Sequence, residues 1–300
     1  MINSEYKVSN VGVIGLIGRP STGKSSLINK LCGQRISIVS TTPQTTRTRI
    51  RGIFSSNKGQ LVFIDTPGIN EKKTKLNQNL RQLALFSPTE IDVLLVVFDI
   101  TRKFGTEDQI VFDIFKKYNG PKIIVKNKID LFNSRTYDKT LDEYLQYFVD
   151  IKTFQVSTVT GMGIIKLRSH LIALSPVGPF LYPNDMYTDQ TPNFRISEII
   201  REQTINLTQD ELPYSFYVEI TNLSITKNRL IAHGTIWVER SSQIGIIIGK
   251  AASKIKKIRI QSETILSDIF GLSASIVIKV KTKKNWKKNL AFISSVKNQG

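Results

Sequence analysis

The amino-acid sequence predicts an α/β domain with a doubly wound, mixed sheet over residues 1–175, followed by a smaller α+β domain over residues 193–285. In the first part, apolar runs of strand length alternate with segments of helical spacing, which is typical of a doubly wound sheet. A linker with four prolines follows over residues 176–192. Beyond it the predicted order changes to helix, strand, strand, helix, helix, strand, and residues 286–300 form a basic tail.

A phosphate-binding loop follows the first predicted strand, which spans residues 11–17. The segment Gly18-Arg19-Pro20-Ser21-Thr22-Gly23-Lys24-Ser25 fits G-x-x-x-x-G-K-[ST], and a helix is predicted over residues 26–31. The backbone N–H groups of such a loop and the helix N-terminus attract a β-phosphate. Lys24 is expected to reach the β- and γ-phosphates, and the Ser25 hydroxyl is expected to bind Mg²⁺. The nucleotide contacts predicted in this segment are Gly18, Ser21, Thr22, Gly23, Lys24, Ser25 and Ser26.

Two later segments are predicted to sense the γ-phosphate. The polar, irregular stretch over residues 33–48 contains Gln44-Thr45-Thr46-Arg47, and we assign Thr46 to the Mg²⁺ shell. A strand pair over 49–55 and 60–64 ends in Asp65-Thr66-Pro67-Gly68. Asp65 is expected to hold Mg²⁺ through water, and the Gly68 N–H to meet the γ-phosphate. The predicted catalytic set is Lys24, Thr46 and Gly68, the metal set is Ser25, Thr46 and Asp65, and the nucleotide set includes Asp65, Thr66, Pro67 and Gly68.

The next part of the chain predicts selection of guanine. A helix over 75–87, a strand over 92–99, a helix over 106–117 and a strand over 121–125 lead to Asn127-Lys128-Ile129-Asp130. Asp130 can accept hydrogen bonds from the two donors on the edge of guanine, while the aliphatic stem of Lys128 packs along the base. A strand over 153–156 leads to Ser157 and Thr158, where a backbone N–H is expected to contact the base oxygen. The sequence therefore predicts GTP and GDP as ligands, with Mg²⁺.

The C-terminal part predicts an RNA-binding module. Helices are expected over 194–207, 241–248 and 254–269, and strands over 214–220, 229–239 and 275–280. An apolar run, a G-x-x-G-like turn at Gly249 and a second helix are typical of a KH domain, whose turn clamps a nucleic-acid backbone. The predicted RNA contacts are Ile246, Ile247, Gly249, Lys250, Lys254 and Lys257, and Ile255 is expected to line the same apolar groove. Five of the ten residues from 250 to 259 are basic, as are six of ten from 279 to 288, although a solvated lysine-rich surface is the alternative explanation.

The composition limits the class of protein. The net charge of +18 indicates an anionic partner, such as nucleic acid or a membrane surface, although a general excess of lysine is an alternative explanation. The single cysteine, Cys32, excludes a disulfide framework, and two distant histidines argue against a histidine metal site. The sequence shows no signal-peptide pattern and no apolar run of membrane-spanning length. We expect a cytoplasmic protein.

The motifs together resemble the Era family of bacterial GTPases. They are GRP-x-x-GKSS, QTTR, DTPG and NKID, then GPFLYP, TDQ, ELPYS, VER and SQ-x-GIIIGK. The resemblance implies a Ras-like GTP-binding domain and a type II KH domain. It also implies binding to the 3′ end of 16S rRNA, a role in assembly of the small (30S) ribosomal subunit and rRNA maturation, and RNA binding switched by slow GTP hydrolysis. Peripheral association with the cytoplasmic membrane is a further implication, and a monomer is expected.

Four residues depart from the family pattern. Ser21 replaces an asparagine that can help to bind potassium, Lys126 replaces an apolar residue, and Thr158 replaces an alanine. Ala252 replaces the second glycine of the RNA-binding turn, where a methyl group disfavours close approach and a positive φ.

Two alternatives remain at this point. The first is a GTP-binding RNA-interaction protein that has lost useful hydrolysis. The second is a different phosphate-loop enzyme, such as a kinase. Ile69 occupies a position where some GTPases use a glutamine to orient the attacking water, so slow turnover without a side-chain base is expected. Measured turnover separates the first alternative from a GTPase, and nucleotide preference excludes the second.

Overall fold

The computed structural model describes residues 9–40, 48–69, 89–133, 139–146, 150–208 and 216–284. The chain divides into two compact units. Unit 1 comprises Met1–Ser37 and Thr46–Asp189, and unit 2 comprises Ile38–Thr45 and Gln190–Gly300. Thr46, the predicted helix over 75–87 and the predicted tail over 286–300 lie outside the described residues.

Unit 1 is built on a mixed sheet. Its strands in the described residues are β1 (Ser9–Ile17), β2 (Ile50–Ser56), β3 (Gly59–Asp65), β4 (Val93–Asp99), β5 (Lys122–Asn127), β6 (Thr153–Gln155) and β7 (Val177–Gly178). The order is β2-β3-β1-β4-β5-β6, with β7 against β1, and only β2 and β7 run antiparallel to their partners. Every residue of β3 and β4 is buried, as expected for strands covered on both faces. The predicted doubly wound sheet is therefore confirmed.

The helices of unit 1 are α1 (Lys24–Cys32), α2 (Thr106–Lys117), α3 (Thr140–Leu145) and α4 (Ile164–Leu174). The sequence analysis assigned neither α3 nor α4. In α4 the buried residues are Ile164, Leu167 and Leu171, a spacing that places them on one face of a helix. Phe112 and Phe115 of α2 are fully buried among apolar residues of β4 and β5. Parallel strands joined through helices place the loops after β1, β3 and β5 at one edge of the sheet.

Most of the predicted linker belongs to unit 1. The side-chain oxygen of Gln60 accepts the backbone N–H groups of Leu181 and Tyr182 at 2.8 and 3.0 Å. The guanidinium of Arg51 lies 2.9 Å from a carboxylate oxygen of Asp189. This proline-rich segment therefore runs along β2 and β3, held by hydrogen bonds up to Asp189, where unit 1 ends.

Unit 2 has the predicted α-β-β-α-α-β order. Its elements are α5 (Pro192–Thr208), β8 (Phe216–Ile225), β9 (Arg229–Val238), α6 (Ser242–Ile248), α7 (Ser253–Phe270) and β10 (Ser273–Thr282). The strand order is β10-β9-β8, with β9 parallel to β10 and antiparallel to β8. Apolar residues of the three helices and the three strands, among them Ile200, Phe216 and Leu266, form one core.

Residues far upstream in the sequence complete this core. Ile38 is 2% exposed and packs in the same apolar cluster as Ile200 and Phe216. The backbone N–H of Val39 donates to a carboxylate oxygen of Glu202 in α5 at 2.8 Å. Glu202 is itself buried, so this hydrogen bond offsets part of the cost of removing its carboxylate from water.

Candidate functional site

The phosphate-binding loop connects β1 to α1 and closes around the ammonium group of Lys24. Nζ of Lys24 donates to the carbonyl oxygens of Gly18 and Arg19 at 3.0 and 2.9 Å. Gly23 has φ +91°, and a Cβ at that position would lie 2.3 Å from the side-chain nitrogen of Asn127. A side chain at residue 23 would therefore push the phosphate loop away from the guanine-selecting loop.

Burial lowers the pKa of Lys24 to about 8, although the negative charges of Asp65 and Glu107 act in the opposite direction. A lysine with this pKa is partly neutral in mildly alkaline solution. The phosphates of a nucleotide would supply the negative charge that favours the ammonium form. The position of Lys24 therefore fits the role predicted for it.

Two of the three predicted magnesium ligands, Ser25 and Asp65, lie together, and the third, Thr46, is outside the described residues. The hydroxyl of Ser25, in the first turn of α1, donates to Oδ2 of Asp65 at the end of β3 at 2.8 Å. Asp65 is fully buried. A hydroxyl and a carboxylate are hard oxygen donors of the kind that Mg²⁺ prefers, so the donor set fits this ion.

The segment after Asp65 is attached to the phosphate loop. The hydroxyl of Thr66 donates to the carbonyl oxygen of Leu16 at 2.6 Å, so this side chain holds the backbone in place. The N–H of Ile69 donates to the carbonyl oxygen of Gly18 at 3.1 Å. These two bonds place Pro67 and Gly68 beside the start of the phosphate loop.

The guanine-selecting loop is joined to the phosphate loop through Asn127. Its side-chain amide donates to the carbonyl oxygen of Thr22 at 2.9 Å, whereas Asp130 is exposed in a 3₁₀ turn over Ile129–Leu131. The N–H of Ser157 donates to the carbonyl oxygen of Met162 at 3.0 Å. The N–H of Thr158 has no acceptor among the described residues and is therefore the better candidate for the base contact.

The structure explains one departure from the family pattern. The ammonium group of Lys126 is paired with the carboxylate of Asp142 in α3. This partner on the neighbouring helix compensates a charged residue in a strand whose other central positions are apolar and buried. The pair lies one step along β5 from the guanine-selecting residues.

Sequence reasoning missed two buried acidic residues near the nucleotide loops. Asp108 of α2 pairs with Arg19 of the phosphate loop at 2.5 Å, and its pKa is raised by burial despite that partner. Asp99, at the end of β4, pairs with Lys128 at 2.6 Å. Both contacts join loops that lie far apart in the sequence, and no local motif signals them.

The candidate RNA-binding turn lies between α6 and α7. Gly249 has φ 73° and ψ 171°, and a Cβ at that position would lie 2.8 Å from Cγ of Lys254. Ala251 and Ala252 have φ values of 49° and 59°, so the turn keeps a left-handed backbone at Ala252 despite the methyl group. The substitution was expected to disfavour this conformation, but the turn keeps it, and the Ala252 N–H donates to the carbonyl oxygen of Gly249 at 3.2 Å.

The predicted RNA contacts differ in accessibility. Lys250 and Lys257 are exposed, and Lys254 is half-buried. Ile246 and Ile255 are also half-buried, but Ile247 is completely buried in the core of unit 2. Ile247 therefore packs inside the domain, and a base in the groove would meet Ile246 and Ile255.

Comparison with known proteins supports both units. A family model described as a 50S ribosome-binding GTPase matches residues 13–128, and a KH domain model matches residues 211–287. GTPase Era of Treponema denticola is 40% identical over 292 residues, which cover 96% of this chain and 99% of that protein. GTPase Era of Borrelia hermsii is 39% identical over 96% of this chain and 99% of that protein. The chain belongs to the Era family of GTPases.

Solved structures of Era agree with this assignment. The crystal structure of a single-residue variant of Aquifex aeolicus Era bound to GDP and AlF₄⁻ has a TM-score of 0.86 and 31% identity, and the match covers 95% of this chain and 98% of that one. Era in complex with MgGDPNP and nucleotides 1506–1542 of 16S ribosomal RNA has the same TM-score and coverage, with 30% identity.

Membership of the Era family decides between the enzyme classes. This chain is a GTPase whose ligands are GTP, GDP and Mg²⁺, and a kinase is excluded. Among the described residues, no helix is both long and apolar enough to cross a bilayer.

Proposed function

We propose that this Era-family GTPase binds the 3′ end of 16S rRNA through its KH domain and acts in assembly of the small ribosomal subunit and maturation of its rRNA. The bound nucleotide switches RNA binding. The observation that carries the proposal is the turn at Gly249, which keeps a clamp-like backbone next to exposed lysines. The likeness to Era in complex with a 16S rRNA fragment supports it.

The proposed role of each nucleotide contact follows from its position. Lys24 binds the β- and γ-phosphates, Ser25 and Asp65 hold Mg²⁺ together with Thr46, and the Gly68 N–H reports the γ-phosphate. Asp130 selects guanine, and Thr158 contributes a backbone N–H to the base oxygen. The 2.8 Å contact between Ser25 and Asp65 supports the metal assignment.

The RNA clamp contacts phosphates through Lys250, Lys254 and Lys257, while bases lie against Ile246 and Ile255. Neutralising several phosphates releases counterions, so binding weakens steeply as salt rises. Losing one close backbone contact at Ala252 costs about 1.5–3 kcal/mol, the scale of a hydrogen bond to a charged group. The lysines therefore retain a measurable affinity.

The test is a salt titration of the full chain, loaded with a non-hydrolysable GTP analogue, against the 3′ tail of 16S rRNA and a scrambled RNA. The double variant Gly249→Asp/Lys250→Asp should abolish the preference for the 3′ tail. Its matched control, Lys227→Asp/Asn228→Asp, makes the same charge change in the turn between β8 and β9 and should retain the preference. Equal binding of both RNAs by the unmodified chain would show that the lysines act only as a charged surface.

A second experiment concerns the ribosomal subunit. The matching family model names the large subunit, whereas the structural relative holds small-subunit RNA. Co-sedimentation with separated subunits should place this chain on the small subunit in the GTP-analogue state. Equal or stronger binding to the large subunit would contradict the proposal.

The proposal also covers location and oligomeric state. The protein is a cytoplasmic monomer that associates peripherally with the inner face of the cytoplasmic membrane. The net charge of +18 supports attraction to anionic lipid headgroups. Sedimentation with phosphatidylglycerol vesicles but not with phosphatidylcholine vesicles is expected. Light scattering on a sizing column should give a mass near 33.9 kDa.

A further inference from the structure

We propose that Asp99 is a positioning residue for guanine selectivity, because it fixes the side chain of Lys128 along the face of the base. This inference rests only on binding of a guanine nucleotide and not on the RNA-binding part of the proposed function. Asp99 lies outside every motif in the sequence that indicated nucleotide binding.

The geometry around Asp99 leaves its carboxylate one orientation. The side chain is 0% exposed at the end of β4. Oδ1 accepts the hydroxyl and the backbone N–H of Thr101 at 2.6 and 3.0 Å, and Oδ2 accepts Nζ of Lys128 at 2.6 Å. Thr101 therefore fixes one oxygen, and the other faces the ammonium group.

The backbone of Lys128 is fixed as well. It has φ 66°, an uncommon left-handed conformation for a lysine. Asn127 before it donates to Thr22 O at 2.9 Å, and Ile129 after it donates to Val156 O at 3.2 Å. Because Cα and Nζ of Lys128 are both held, the four carbons between them have little freedom to move. Their CH₂ groups form an apolar surface against which the flat ring of the base can pack.

The charge on Asp99 suits this role. Burial alone would raise its pKa, but hydrogen bonds from Lys128 and Thr101 outweigh that effect and lower the pKa below its usual value. The carboxylate therefore stays ionised at neutral pH and holds the ammonium group through a charge-assisted bond. An asparagine at residue 99 would keep the shape but lose the charge, so the lysine stem would sample more rotamers before a nucleotide binds.

A nearby pair supplies a matched control. Lys126 and Asp142 also form a lysine–aspartate pair, and Lys126 lies two residues before Lys128. Removing the Asp142 charge changes the same kind of interaction at almost the same place. It does not touch the residue that is expected to contact the base.

The experiment measures the affinities of the full chain for GTP and ATP, and steady-state GTP hydrolysis. Asp99→Asn should weaken GTP binding about tenfold and raise KM with kcat within about twofold, because Lys128 lies at the base and not at the phosphates. ATP binding should be unchanged, because adenine offers Asp130 no pair of donors and is therefore not held against the lysine stem. Asp142→Asn should change none of these. In the Lys128→Met background, Asp99→Asn should have no further effect, since it acts through that lysine.

Three results would overturn the inference: unchanged GTP affinity in Asp99→Asn, equal losses for GTP and ATP, or additive losses with Lys128→Met. If Asp99→Asn does not fold, the variant Thr101→Val tests the inference instead. Thr101 is exposed, and its hydroxyl only orients the carboxylate of Asp99. We expect two- to threefold lower GTP/ATP discrimination there, and no change would refute the inference. If the unmodified chain binds ATP as well as GTP, the guanine assignment itself fails.

Discussion

The substitution Ala252→Gly should stabilise unit 2, although it removes a methyl group. Ala252 has φ 59° in the turn between α6 and α7. A left-handed backbone costs an L-residue about 1–2 kcal/mol. Glycine relieves this strain, but its larger freedom in the unfolded chain cancels about 0.4–1 kcal/mol. The side chain is exposed, so little packing is lost. The net expectation is about 1 kcal/mol of added stability.

Urea unfolding followed by tryptophan emission measures this change. Trp237 lies in β9, so its emission reports on unit 2, whereas the other tryptophan, Trp286, lies outside the described residues. With a slope of about 1–3 kcal/mol/M, the midpoint should rise by about 0.3–1 M. Ala274→Gly is the matched control, because Ala274 lies in β10 without a positive φ and should lose about 0.5–1 kcal/mol. A lower midpoint for Ala252→Gly, or equal shifts in both variants, would refute the reasoning.

Three further predictions concern the nucleotide site. Since the pKa of Lys24 is about 8 in the free protein and phosphates raise it, GDP binding should take up protons and weaken as the pH rises above 8. Calorimetry in two buffers of different ionisation enthalpy checks this, and zero uptake at about pH 9 would contradict it. Asp130→Asn should weaken the binding of GTP by about 1.5–3 kcal/mol and make the protein prefer xanthosine triphosphate. Titration of the variant with both nucleotides would show this. Ile69 is 1% exposed and carries no polar side-chain atom. Ile69→Val, rather than the cavity-forming alanine, should leave turnover within a few-fold, and a hundredfold loss would reveal an unrecognised role.

The sequence predicts well what depends on local spacing. The phosphate loop, the residues after β3 and the Asn-Lys-x-Asp loop follow strands whose apolar runs are visible in the sequence, so their meeting at one edge of the sheet was expected. Ser25 donates to Asp65, and the side chains of Lys24 and Asn127 donate to the carbonyl oxygens of Gly18 and Thr22 in the phosphate loop. The elements of unit 2 were also predicted to within about two residues, except that β8 ends five residues later than predicted, because helical and strand periods alternate there.

The remaining features depend on pairs that are distant in the sequence. Arg19 and Asp108 are 89 residues apart, and Asp99 and Lys128 are 29 apart. Both separations are far longer than a local motif. The proline-rich segment predicted as a linker is held on unit 1 by side chains of β2 and β3, such as Gln60, and composition alone does not reveal such partners.

The place of Ile38 has a consequence for how the chain reaches its native state during synthesis. Ile38 leaves the ribosome among the first residues, but the core that buries it contains Phe216, Ile236 and Leu266, which are translated much later. Early domains generally fold as the chain emerges. Here the segment between α1 and β2 must wait, with an apolar side chain in water, until the C-terminal domain is complete. A fragment that starts at residue 190 would likewise expose the space that Ile38 fills.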